Sequence, residues 1–172
     1  MRLHRNLVFT VIDSLQLIFN EGVYADKAVE SALKKDARWG ARDRKFVAET
    51  IYEIVRWRRL YNEIAETKEH YSRENLWKIF TVWAVLRGIE LPDWKYFENS
   101  PIRRIKGKFD QAQGIRKIKE SIPDWLDELG VAELGKQWDK EISALNQQAP
   151  VVLRANTLRA SRLQLEKALN AS

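Results

Sequence analysis

The sequence predicts an all-α helical bundle over residues 1–145, followed over residues 146–172 by one β-strand and one helix that open an incomplete α/β unit. Three observations carry this. Apolar residues recur at helical spacing through six successive segments. No stretch reads as a strand until Val151. The 172 residues contain no cysteine, and a chain of this length buries roughly 70% of its extended surface, enough for a core without disulfides or metal.

From Leu7 to Phe19 the residues Val8, Val11, Ile12, Leu15, Ile18 and Phe19 share one helical face, and Gly22 closes that helix. A second helix fits Ala25 to Lys35, with Ala28, Val29, Ala32 and Leu33 inward. The third is read as a single helix from Arg42 to Thr67. Its stripe of Val47, Ile51, Ile54, Val55, Leu60, Tyr61 and Ile64, widened by Phe46 and Trp57, marks it as the centre of the bundle. Ser72 caps a fourth helix that buries Leu76, Ile79, Phe80, Trp83 and Leu86 and ends by Gly88 and Pro92.

"LPDWKYFENSP" reads as an irregular aromatic connection. In "SIPDWLDELG", Pro123 suits a first helical position, Asp124 favours the positive helix end and Gly130 supplies a stop, so Trp125, Leu126 and Leu129 are expected to pack. A helix from Ala132 to Leu145 follows, burying Leu134, Trp138, Ile142 and Leu145. After "NQQAP" the texture changes: Val151, Val152 and Leu153 are strand formers, and Ser161 with Gln164 makes a capping box for a last helix. A lone strand leaves its backbone groups unsatisfied. From the residues alone, either the chain is cut inside a second domain, or this segment lies as an arm on the helices or pairs with its copy in a dimer.

Thirty Lys and Arg against 24 acidic residues give a net charge of +6, which makes a polyanionic partner plausible. Between Ile102 and Lys119, Arg103, Arg104, Lys106, Lys108, Arg116, Lys117 and Lys119 face Asp110 alone, so this stretch holds an excess equal to that of the whole chain. With Gly107 and Gly114 it reads as a flexible segment able to track phosphates; the competing reading is a solvated helix surface whose Ile115 and Ile118 pack inward. A second group comprises Arg42, Arg44, Arg58 and Arg59, with Arg56 alongside. Ion pairing with Glu49, Glu53 and Glu63 competes for the later members. Trp94, Tyr96 and Phe97 suit either stacking on unpaired bases or a lid over the bundle.

No glycine-rich phosphate loop, serine elbow or cysteine nucleophile is present, and His4 and His70 stand in polar surroundings. On its own chemistry the chain is not an enzyme. No apolar run approaches the ~20 residues of a membrane helix, so a soluble, cytoplasmic protein is expected.

The run "GARDRKFVAETIYEIVRWRR", then "SIPDWLDELG", then "ALNQQAPVVLRANTL" resembles the N-terminal part of Sun-type (Fmu-type) ribosomal RNA cytosine-C5 methyltransferases. The helical portion of that family is similar to NusB, an all-helical RNA-binding module. The resemblance implies a NusB-like bundle over 1–145 and, from 146, the start of a small α/β linking domain. A catalytic domain binding S-adenosylmethionine and carrying a cysteine nucleophile would follow. No catalytic or cofactor residue of the family maps onto this chain. By the same resemblance Arg154 lies where the linking domain meets RNA or the catalytic domain. Ribosomal RNA and the chain's own catalytic domain are thus the expected partners, with S-adenosylmethionine expected only in the longer protein. The rival expectations are a protein-interaction module or a freestanding antitermination factor. The residues leave oligomeric state open.

Overall fold

The computed structural model describes residues 2–68 and 70–171, and among these it forms ten α-helices, two 3-10 turns and no β-strand. Helix α1 (Arg5–Glu21) ends at Gly22, whose φ of 69° is the left-handed conformation a residue without Cβ adopts at least cost. The Val23 amide then reaches back to the Leu17 carbonyl at 3.1 Å. Helix α2 (Ala25–Lys34) and helix α3 (Ala41–Arg56) pack on it and on each other.

The expected single helix from Arg42 to Thr67 is two. α3 stops at Trp57 and α4 (Arg58–Ala65) starts beyond it. No proline or glycine marks the break. It is supported from a distance: the Arg59 amide, at the opening of α4, donates to Ser121 Oγ at 3.2 Å. A side chain far along the sequence thus supplies the cap that local residues do not.

The centre of the bundle is α5 (Arg73–Leu86), not the α3–α4 stretch. Ser72 Oγ accepts from the Asn75 amide at 3.1 Å, and every side chain from Leu76 to Val85 except Lys78 is buried, whichever face of the helix it leaves. α5 touches α1, α3, α4 and α6 (Ile102–Ala112). Fully burying a Leu, Ile or Phe stabilises by ~1.5–3 kcal/mol, so Leu76, Ile79 and Phe80, each wholly inaccessible, anchor the fold. Between α5 and α6 the aromatic connection makes a 3-10 turn at Lys95–Phe97. It is a lid: Phe97 is buried and Trp94 packs on the same core.

The basic stretch is helical rather than flexible, forming α6 and the four-residue α7 (Arg116–Lys119). Ile118 is buried and Ile115 is exposed. A second, smaller core follows, where Ile122, Trp138 and Ile142 meet between α8 (Asp124–Leu134) and α9 (Trp138–Leu145). Gly130 is not a stop. It lies inside α8 because the Trp138 indole fills the space beside it, leaving only 2.2 Å between the ring and the position a Cβ would take. Trp125 and Leu129 face outward, as do Leu134 and Leu145, against expectation.

The predicted strand is absent among the described residues. Val151, Val152 and Leu153 join no ladder, and all three are exposed. Strand formers alone do not make a strand without a neighbouring ladder. The capping box does form: the Ser161 side chain caps Gln164 and starts α10 (Arg162–Asn170). Among the described residues no helix is long and apolar enough to cross a membrane.

Candidate nucleic-acid interface

Five of the seven cations between Ile102 and Lys119 are tied to carboxylates. Arg104 and Lys108, one turn apart on α6, both bind Glu66 at the end of α4. Hydrogen bonds from Lys108 and then Arg104 hold the Glu66 carboxyl below the usual carboxylate range. Arg116 bridges Asp127 at 2.6 Å and Asp139 at 3.0 Å, Lys117 meets Asp124 at 3.0 Å, and Lys119 lies 3.7 Å from Glu120. In this stretch Arg103 and Lys106 have no ion pair among the described residues. The charge excess is therefore largely internal bracing, with two side chains left to solvent.

The second group divides likewise. Arg56 and Arg59 point their guanidiniums at the carbonyls of Glu120, Ser121 and Ile122, just past α7, and Arg59 also meets Asp124 at 2.7 Å. Cations suit the negative end of a helix, so these two clamp α3 and α4 onto α7. Of the three expected acidic partners, Glu53 pairs with Arg87 and Glu49 with Lys45, while Glu63 lines the same cleft as Arg56, Arg58 and Arg59. Arg44 donates to the Leu33 carbonyl at 3.0 Å, closing the end of α2. Arg42 and Arg154 are exposed and distant from the clamp in the chain, without ion-pair partners among the described residues. Arg58 lies over the Phe19 ring at 5.6 Å.

What the fold brings together is a cleft of about 930 Å³ between α4, the end of α1 and the turn after α7. Arg56, Arg58, Arg59, Lys68 and Lys108 line it against Glu63 and Glu66, with Phe19, Ile18 and Ile118 as apolar wall. Its rim holds two residues at positive φ, Glu66 at 53° and Ser121 at 52°, which turn the chain sharply where α4 and α7 end. Cations on the wall of a cleft reinforce one another because the low-dielectric protein behind them focuses the field. The two groups of cations expected from the sequence thus meet here through Arg58, Arg59 and Lys108. Arg103, Lys106, Arg42, Arg44 and Arg154 lie outside the cleft. Lys68 and Asn62 are cleft residues that sequence reading missed; Lys68 sits in a polar loop that carries no periodic signal.

Residues 122–172 match the family model described as the RsmF/B-like methyltransferase, ferredoxin-like domain. The match supports the relation to Sun-type methyltransferases that the residues drew. It covers less than a third of the chain and leaves the helical bundle before Ile122 unmatched. No curated protein and no solved structure gave a significant match.

Proposed function

We propose that this chain is the RNA-binding and positioning module of an S-adenosylmethionine-dependent RNA cytosine-C5 methyltransferase, with structured ribosomal RNA as its partner. The observation that carries the reading is the match of residues 122–172 to the RsmF/B-like ferredoxin-like domain, and the cationic cleft beside it gives the bundle something to do. Phosphate contacts would set register and orientation, leaving the choice of base to the chemistry elsewhere. The described residues do not fit S-adenosylmethionine as a resident group. They form no strand leading into a glycine-rich turn, the usual cradle for such a cofactor, and the chain has no cysteine to attack a pyrimidine. Both would come from a catalytic domain.

Filter binding of ribosomal RNA at several salt concentrations tests this. Each phosphate neutralised contributes roughly 0.7–0.9 to the slope of log affinity against log salt, so a steep fall is expected. Lys68 lines the cleft and has no ion pair among the described residues, so replacing it by Gln should lower the slope by about one if it neutralises a phosphate there. A flat response, or no binding at low salt, rejects the proposal.

A docking role for residues 122–172 stands beside the RNA role. Trp125, Leu129, Leu145, Val151, Val152 and Leu158 are all exposed, a concentration of apolar surface that suits packing against the chain's own catalytic domain.

A further inference from the structure

A second cavity, of about 790 Å³, lies between α4, α5, α6 and the 3-10 turn at Lys95–Phe97. Its size is that of sites that take small planar ligands. On its wall Tyr96 stacks flat on Trp77, with ring centroids 4.1 Å apart and planes 7° from parallel, while 45% of Tyr96 stays exposed. Phe9 meets Tyr96 edge-on at 5.6 Å, so the aromatic pair is held from the side. Trp77 is buried, and its indole N–H has no hydrogen-bond partner. Such a donor costs free energy unless something accepts from it. Trp39 and Trp83 also bury unpartnered N–H groups, but neither lines this cavity or the cleft.

The cavity carries little net charge, since Lys78 pairs with Glu74, Arg104 with Glu66 and Arg73 with Asp13, leaving Lys95 and Glu98 to offset one another on its wall. That is a setting for a neutral flat ring rather than a phosphate. Glu66 lines both the cavity and the cationic cleft, with Arg104 on the cavity side and Lys108 on the cleft side of its carboxylate. The two hollows are therefore neighbours across one shared carboxylate.

We infer that this cavity receives an unpaired nucleobase of the RNA strand whose phosphates lie in the neighbouring cleft. The inference rests on the RNA reading above and adds a stacking subsite to it. The base stacks on the free surface of Tyr96, which is backed by Trp77. Lys95 lines the same cavity and has no ion pair among the described residues.

The test compares, on the intact chain, a short unstructured oligouridylate with an abasic ribose-phosphate oligomer of equal length, and with uridine monophosphate. Stacking of one base supports binding roughly tenfold tighter or more for the oligouridylate over the abasic strand. Tyr96→Phe should keep that preference and Tyr96→Leu should remove it, with the salt slope of both variants unchanged. The wild-type comparison stands even if Tyr96→Leu fails to fold. Equal binding of the two oligomers with a steep salt slope overturns the base subsite and leaves the phosphate reading intact. Binding of neither oligomer overturns the base subsite, while the phosphate reading is decided by the ribosomal RNA titration. Uridine monophosphate bound as tightly as the oligomer overturns the RNA strand as the source of the base.

Discussion

Asp127 accepts from Arg116 Nε at 2.6 Å and Nη2 at 3.2 Å, and from Trp138 Nε1 at 2.9 Å. The guanidinium first, and the indole donor after it, hold the Asp127 carboxyl below the usual carboxylate range. A carboxyl whose folded pKa is depressed stabilises fully above its unfolded value of about 3.9, and that contribution disappears as pH falls through the lower folded value. The thermal midpoint should therefore drop below about pH 4, and Asp127→Asn should flatten that drop while lowering stability at neutral pH. A midpoint that falls equally in both proteins would assign the acid response to other carboxyls. Three residues on, Gly130 leaves room for the Trp138 ring, and the Cβ of an alanine would lie 2.2 Å from it. Gly130→Ala should cost about 1–3 kcal/mol by overpacking, measured by denaturant titration; an unchanged midpoint would mean the indole moves aside freely. Neither contact is legible locally. Gly130 looks like a helix stop because glycine usually is one, and the indole that claims its space is eight positions away.

At the scale of elements, α7 is too short to hold its own shape, since isolated helices of a few residues are not stable. It persists because Arg56 and Arg59 satisfy the carbonyls beyond its end and because Ile118 is buried beneath it. Arg59→Ala should lower the opening free energy of the Glu120 and Ile122 amides by about 1–2 kcal/mol, seen as faster hydrogen exchange there with α1 and α5 unaffected. Unchanged exchange would show that the apolar contact alone holds α7. Arg56 and Arg59 of "RWRR" read in sequence as candidate phosphate contacts, because the carbonyls they clamp are 63 to 65 residues further along the chain. Helix positions were different. The ends of α1, α5 and α10 follow from Gly22, Ser72 and Ser161, whose effects act within a turn or so of each residue.

For the molecule as a whole, the large core spans α1 to α7 while only Ile122, Trp138 and Ile142 are buried in the small one. Stability should follow that division. Native-state exchange is expected to show α8 and α9 opening together at lower free energy than α5, with α10, which buries no side chain, opening on its own, and a uniform profile would rule this out. If residues 122–172 dock on a catalytic domain as proposed, the same segment should gain protection when that domain is supplied. The exposed apolar residues of this segment were read in part as core, because an apolar stripe identifies a face that seeks burial without naming what buries it.

By itself the sequence determined the helical class, the positions of most helices, and a resemblance drawn from segments along the chain, which the match over residues 122–172 supports. Those depend on periodicity, caps and motifs, which are properties of neighbouring residues. Only the tertiary structure decided where the charges go. Whether a cation braces the fold or faces a polyanion depends on which carboxylate arrives beside it, as Glu66 does for Arg104 from 38 positions away, and no local pattern records that meeting.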